Sequence, residues 1–323
     1  MNPEETYVSV VEPVSPAIER VKTVLFRPFD LGRWFVIGFG AWLAGMGNPA
    51  GGGGNGAGEG APSVPPGMAF EDIPDQFRHG YEDAQTFIRE DPLAVLAGVL
   101  VLGLVVGFSL LITWLSSRGR FIFLHCVAQN KAEVTNPWHE FRRQANSLFA
   151  FRIVMGILWF LAAAAFVVPV VVMLYFSKVK LDSTPLTIAG VVAFAVSLLA
   201  VMIVFGIIGS FTTDFVVPIM YQRRMTCRQA WAVLLDLLGV NKIRFFLYVL
   251  FQFVIGIAIR TILIAIACLT CCVACCLFFI PYVGTVARLP FIMFRRAYSL
   301  HYLAQYGSDF NVFAQESAEP QPM

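Results

Sequence analysis

The chain has 323 residues, of which 58% are hydrophobic and only 14% charged, with a formal net charge of +2 and a mean hydropathy of +0.71. Soluble globular chains run about 45–50% apolar and about 25% charged, so these few ionic groups cannot cover the surface of a soluble protein of this size. The composition excludes a soluble enzyme, a disordered chain, a collagen-like fibre and a nucleic-acid binder. Where the charges fall says more than their sum.

The N-terminus carries Glu4 and Glu5 where a signal peptide would be basic, and no apolar run begins before about Trp34, so no cleavable leader is expected. Ser15 and Pro16 can open a helix with Ile18, Val21 and Leu25 on one face, which leads through Phe29–Gly32 into the first apolar block. A membrane span needs about 20 mostly apolar residues to cross roughly 30 Å of hydrocarbon. Blocks at residues 34–46, 92–115, 149–176, 185–209 and 245–281 qualify or nearly qualify. The first is short, and the last is long enough for a tight hairpin of two helices. The expected count is therefore six.

Basic residues test that count, because cytoplasmic flanks carry an excess of Lys and Arg. Segment 1–33 holds Arg20, Lys22, Arg27 and Arg33; segment 116–152 holds Arg118, Arg120, Lys131, Arg142, Arg143 and Arg152. Segment 210–244 holds Arg223, Arg224, Arg228, Lys242 and Arg244, and the tail holds Arg288, Arg295 and Arg296. These four segments contain most of the 23 basic residues, which fits six spans with both termini in the cytoplasm. The outer loop at residues 47–90 starts as a Gly/Pro/Ala tract too poor in apolar side chains to order itself. It continues as an acidic stretch in which Phe70, Ile73, Phe77 and Tyr81 approximate helical spacing, as in a short helix on the outer surface. Residues 51–56 match G-x-G-x-x-G formally but follow no strand, so they carry no argument for nucleotide binding.

The chain resembles itself at a shift of 93 residues: Pro92-Leu93 falls on Pro185-Leu186, Trp138 on Trp231 and Asn146 on Gly239. Asn136-Pro137 reads as an N-cap followed by proline, and Thr226 with Gln229 reads as a capping box. Each opens a short amphipathic helix, and Asn146 and Gly239 are residues that tolerate the left-handed turn ending one. A weaker third copy lies at the N-terminus. Pro218–Arg224 resembles Pro290–Arg296 as an extension of a returning span. The expected domains are the N-terminal segment 1–33, a first hairpin 34–115, a second unit 116–209, a third unit 210–284 and a tail 285–323. Amphipathic helices with Trp and basic residues lie in the headgroup plane. They either anchor the loops or recognise anionic lipid or a protein partner, with Arg142, Arg143, Arg223 and Arg224 as candidate contacts.

Candidate chemistry is sparse. Cys268, Cys271, Cys272, Cys275 and Cys276 share one helix face, where packing of small residues is the expected role rather than metal binding. The pairs Ala94–Gly98 and Gly103–Gly107 suit close helix contact, within the chain or with a second copy. Ionisable residues at membrane depth are the functional suspects. Arg260 is one, near the outer boundary, where snorkelling is the alternative. Asp214, beside Thr212 and Thr213, is another, as a cap or a relay group. His139-Glu140 starts no HExxH motif, and neither a GxSxG elbow nor a Walker A sequence occurs. The four histidines, 79, 125, 139 and 301, are dispersed, which places most of them as interfacial side chains.

Three segments, RPFDLGRWFVIGF at 27–39, FVVPIMY at 215–221 and LPFIMFRRAYSLHYL at 289–303, carry a resemblance to poorly characterised prokaryotic multi-pass membrane proteins. Among these, the chain resembles the membrane domain attached to some glycerophosphodiester phosphodiesterases. The phosphodiesterase domain itself has no counterpart here, so its activity is not implied. The expectation is an all-α, six-span bundle of three interfacial-helix-plus-hairpin units in the cytoplasmic membrane, with no cofactor and no enzymatic activity. It is expected to organise membrane lipids or to bind a membrane protein partner or a second copy. Transport of a small or lipid-like solute is the alternative.

Overall fold

The computed structural model describes residues 8–46, 92–177, 185–270 and 280–313, and no strand occurs among them. Among the described residues, four helical stretches are long and apolar enough to cross a membrane: Val95–Gln129, Arg142–Pro169, Val192–Arg223 and Lys242–Leu269. The outer loop, its acidic segment and Cys271–Cys276 of the cysteine face lie outside the described residues. Contacts divide the chain into two units, residues 1–55, 112–151 and 209–323, and residues 56–111 and 152–208.

In chain order the helices are α1 (Val14–Val21), α2 (Leu31–Gly45), α3 (Pro92–Gln129), α4 (Thr135–Glu140), α5 (Arg142–Ser177) and α6 (Pro185–Phe211). They continue with α7 (Val217–Arg223), α8 (Cys227–Val240), α9 (Lys242–Leu269), α10 (Pro281–Ala287) and α11 (Leu289–Ala304). Several are far longer than a bilayer requires. At 1.5 Å per residue, the 38 residues of α3 extend about 57 Å. Its side chains report the transition directly: residues 96–111 are exposed on every side, whereas residues 116–124 are buried on every side. A segment apolar all round and exposed all round belongs in hydrocarbon, and one buried all round belongs in a packed protein core. The run from α6 into α7 repeats this pattern, with residues 215–221 buried.

The first unit is built around α11. Leu289, Met293, Ala297, Tyr298, Leu300, Tyr302 and Leu303 are buried on it, and none of its residues is fully exposed. α1 packs on α11 through Ala17 and Val21. α9 contributes one stripe, Phe245, Tyr248, Gln252 and Ile255, at helical spacing. Aromatic rings fill the junction: Tyr248 lies 4.7 Å from Phe215 and 4.7 Å from Tyr302, and 5.8 Å from Tyr298. The segment before α1 is clasped to this core by polar contacts. Tyr298 donates to the Val10 carbonyl at 2.8 Å, Arg244 donates to that of Val8 at 2.8 Å, and Gln305 exchanges hydrogen bonds with Ser9.

The end of α3 is tied down by cations. Arg20 donates to the carbonyls of Val127 and Ala128 at 2.8 and 2.7 Å, and Arg33 donates to the Asn130 carbonyl at 2.9 Å. Asn130 sits at φ 54°, the left-handed conformation that ends a helix. The last carbonyls of a helix are unpaired and carry its negative partial charge, so guanidinium donors there satisfy both needs.

Local signals read from the sequence fared unevenly. Thr226 with Gln229 forms the capping box of α8, as read from the sequence, whereas the cap of α2, Asp30 accepting from the Gly32 amide at 2.8 Å, is seen only in the structure. Asn136 is not an N-cap: α4 begins at Thr135, and the Asn136 amide donates to Glu133 instead. Neither Asn146 nor Gly239 ends a helix, because both lie inside α5 and α8. The chain bends instead at Phe141, with ψ 18°, and α5 continues through Asn146 into its apolar part. α2, 15 residues long, buries Ile37, Gly38, Gly40, Ala41 and Leu43. It is held to α10 by Tyr282, whose hydroxyl donates to the Phe35 carbonyl at 2.8 Å.

Glycine marks the close approaches, though not at the positions the spacing suggested. A methyl group at Gly98, Gly103 or Gly107 would meet nothing within 4 Å. At Gly119 it would lie 2.6 Å from the Ala44 amide nitrogen and 2.7 Å from the Leu43 carbonyl carbon, so α2 itself would have to move. Gly119→Ala is therefore expected to cost about 1–3 kcal/mol by overpacking. Gly107→Ala should be neutral or slightly stabilising. Thermal unfolding of the detergent-solubilised protein compares the two.

Candidate functional site

Between α6 and α7 the helix widens into a π turn, Thr212–Val216. Such turns change helix register locally and recur at functional sites. Here the turn carries Asp214, half-buried, into a chain of polar groups. Tyr248 of α9 donates its hydroxyl to Asp214 Oδ2 at 3.1 Å, and Gln252 Nε2 donates to the Tyr248 oxygen at 2.8 Å. Arg295 of α11 lies at the far end, with Nε 3.4 Å from Gln252 Oε1. Arg296 donates to the Thr213 carbonyl inside the turn. Tyr248, Gln252 and Arg296 are all buried. Burial pushes the Arg296 guanidinium down to about 10 while Asp214 opposes that shift, so the guanidinium stays charged at neutral pH.

The chemistry available is hydrogen-bond rearrangement. A carboxylate that accepts from a phenol, next to an amide and two guanidiniums, can gain or lose a proton and reorient that line of donors. The same line ties the π turn, α9 and α11 together. Asp214 was visible in the sequence as an acid at a span end. Its partners were not, except that Gln252 is a lone amide in an otherwise apolar run.

The four arginines singled out at the rim divide into two kinds. Arg223 pairs with Asp309 at 3.3 Å and lies over the Phe310 ring at 4.5 Å. Arg224, at φ 53° at the end of α7, pairs with Glu140 and lies 4.1 Å over Phe141. Phe141 in turn stacks on Tyr221 at 4.6 Å, and His125 Nδ1 shares a hydrogen bond with the Tyr221 hydroxyl at 3.0 Å. Both charges are thus matched by carboxylates of the chain itself. Arg142 and Arg143, in the first turn of α5, are exposed. Arg260 is exposed on α9, and the structure does not bring it to Asp214.

Cys268 is exposed near the end of α9, whereas Cys126 and Cys227 are buried. Burial pushes the Cys227 thiol up to about 12, which keeps it unreactive at neutral pH. Among the described residues no cluster of three or more His, Cys, Asp or Glu side chains is placed to hold a metal ion. His301 of α11 stacks on Phe313 at 4.3 Å, and its Nε2 is enclosed without a hydrogen-bond partner. Burial, assisted by the charge of Arg20, pushes this imidazole down to about 4.

Residues 8–287 match the model of a family of unknown function (DUF7544). No curated protein and no solved structure matches the chain.

His301 makes stability depend on pH. An unfolded histidine binds a proton below about 6.5, whereas the folded one stays neutral down to about 4. The unfolded state therefore binds more protons across that window, and the contribution of His301 is complete above about 6.5 and lost progressively as the pH falls toward 4. Tm should decline through this range, and His301→Phe should flatten the decline. A scan of Tm against pH for both proteins provides the measurement.

Proposed function

We propose that the chain, which belongs to this family of unknown function, is a non-enzymatic integral protein of the cytoplasmic membrane that organises anionic lipid around its helices. In this reading it has six spans in three hairpin units, with both termini and the packed first unit on the cytoplasmic side. Four apolar helices and the concentration of basic residues in alternate connecting segments support that orientation. The resemblance to the membrane domain of glycerophosphodiester phosphodiesterases enters only as a comparable architecture, with no phosphodiester hydrolysis.

One observation carries the lipid reading. Of the four rim arginines, Arg223 and Arg224 are matched by the chain's own carboxylates, while Arg142 and Arg143 stand exposed at the start of a membrane-crossing helix. Exposed cations at this level draw the negatively charged headgroups of the inner leaflet. A protein partner with an acidic surface is the competing occupant of the same face.

A second reading, a transporter or channel for a small or lipid-like solute, draws on the buried line Asp214–Tyr248–Gln252 at a π turn. Protons are the simplest probe. On this reading Asp214→Asn lowers proton flux into liposomes bearing the full chain; flux no greater than in empty liposomes removes it.

The lipid reading is tested by extracting the protein into native-membrane nanodiscs and comparing its retained lipids, by mass spectrometry, with those of an unrelated six-span protein. Anionic lipid should be enriched over the control, and Arg142→Gln with Arg143→Gln should reduce the enrichment about thirtyfold, given about 1 kcal/mol per basic residue near an anionic surface. A profile equal to the control rejects the reading.

A further inference from the structure

Arg118 differs from the arginines that donate to carbonyls elsewhere in the first unit. It lies on α3 where the side chains change from fully exposed to fully buried, and it is itself only 7% exposed. Its guanidinium carbon is 4.3 Å from the ring centroid of Trp114 and 4.7 Å from that of Trp138, and the two indoles meet edge to face at 6.0 Å. Arg20, Arg33 and Arg296 all donate to carbonyl oxygens. Arg118 makes no hydrogen bond and no ion pair among the described residues, and its Nε is fully enclosed. The neighbouring charge that acts on it is another cation, Arg142.

Guanidinium carries five N–H donors in a planar fork. Cation–π contact with two indoles offsets part of the desolvation but pairs none of those donors. Buried charges are ordinarily paired, and two like charges at one place raise the cost of leaving them unpaired. An anion with several acceptor oxygens resolves both problems, because it can accept from Arg118 and Arg142 together. Trp114 and Trp138 place the position at the depth of the headgroups, where amphipathic indoles concentrate. Arg142 also opens the 36-residue helix α5, whose first turn adds a positive field.

We propose that Arg118 and Arg142 together bind a phosphate group, that of an anionic phospholipid, in a notch walled by Trp114 and Trp138. This rests on the lipid reading above and sharpens it to one bound lipid at one position. Free inorganic phosphate offers the same chemistry.

The full chain is reconstituted in phosphatidylcholine nanodiscs holding a minor fraction of phosphatidylglycerol, and retained lipid is counted by native mass spectrometry. The intact protein should retain phosphatidylglycerol selectively. Arg118→Gln and Arg142→Gln should each lower that retention about tenfold, as expected for loss of charge-assisted hydrogen bonds. Arg118→Lys should recover only part of it, since an ammonium keeps the charge and loses the fork. Arg142 is exposed, so its substitution does not depend on refolding of a core. Arg143→Gln, beside the pair and outside it, should have the smaller effect. Selective retention that survives both Arg118→Gln and Arg142→Gln overturns the site while leaving the broader lipid reading in place. The absence of selective retention by the intact protein overturns both. A parallel arm in nanodiscs of phosphatidylcholine alone, titrated with inorganic phosphate, tests the source: phosphate binding that depends on Arg118 and displaces phosphatidylglycerol when both are present assigns the site to a soluble anion and overturns the lipid.

Discussion

The burial of α11, none of whose residues is fully exposed, is the contact on which the first unit depends. A sixteen-residue helix with Tyr298, Tyr302, Met293 and Leu300 all enclosed has no amphipathic face to lay on water, so it must be surrounded. α1, the π turn and the inner stripe of α9 supply that surround, and each brings a polar tie with its apolar contacts. The hydroxyl of Tyr302 donates to the Arg244 carbonyl, that of Tyr298 to the Val10 carbonyl, and Arg296 to the Thr213 carbonyl. Apolar contact alone is non-directional. These bonds choose among the packings that hydrophobic burial would accept.

A second consequence follows from helix length. Helices such as α3 are nearly twice as long as hydrocarbon requires, so their extra turns need protein around them and not lipid. The change from exposed to buried along α3 takes only a few residues around Trp114–Ser116. Trp114, Trp138 and Arg118 meet at that level, where an indole or a guanidinium tolerates one apolar and one wet neighbour. Further from it, cations are matched by the chain: Arg20 and Arg33 by carbonyls at the end of α3, Arg223 by Asp309 and Arg224 by Glu140. Arg118 and the exposed Arg142–Arg143 pair are where the internal matching stops, and both functional proposals start there.

Asp214 and the rim arginines could be singled out from the sequence because a charge in or beside an apolar run stands out. Tyr248 and Arg295 could not, and Gln252 only as a lone amide in an apolar run, since a tyrosine in a span and an arginine in a tail are unremarkable until three segments far apart in the chain meet. Arg118 was counted in the sequence only as one basic residue on the positive side. The glycines show the same limit. Spacing marked Gly98, Gly103 and Gly107 as contact points, yet the tight approach is at Gly119, which has no small residue four positions away, only Ser116 three before it, whose hydroxyl donates to the Ala44 carbonyl at the same approach.

From the sequence alone came everything that depends on composition and local periodicity: helices throughout the described residues, apolar blocks of membrane length, the bias of basic residues to alternate segments, and the capping box at Thr226. These rest on the cost of unsatisfied backbone groups in hydrocarbon and on neighbours a few residues apart. The cap assigned to Asn136 failed because the helix starts one residue earlier, at Thr135, which leaves Asn136 inside its first turn. Only the tertiary structure decided which charges are matched, which glycines touch a backbone, and which helix is enclosed. Each of these depends on residues separated by tens or hundreds of positions, and their proximity is set by packing, which no local pattern encodes.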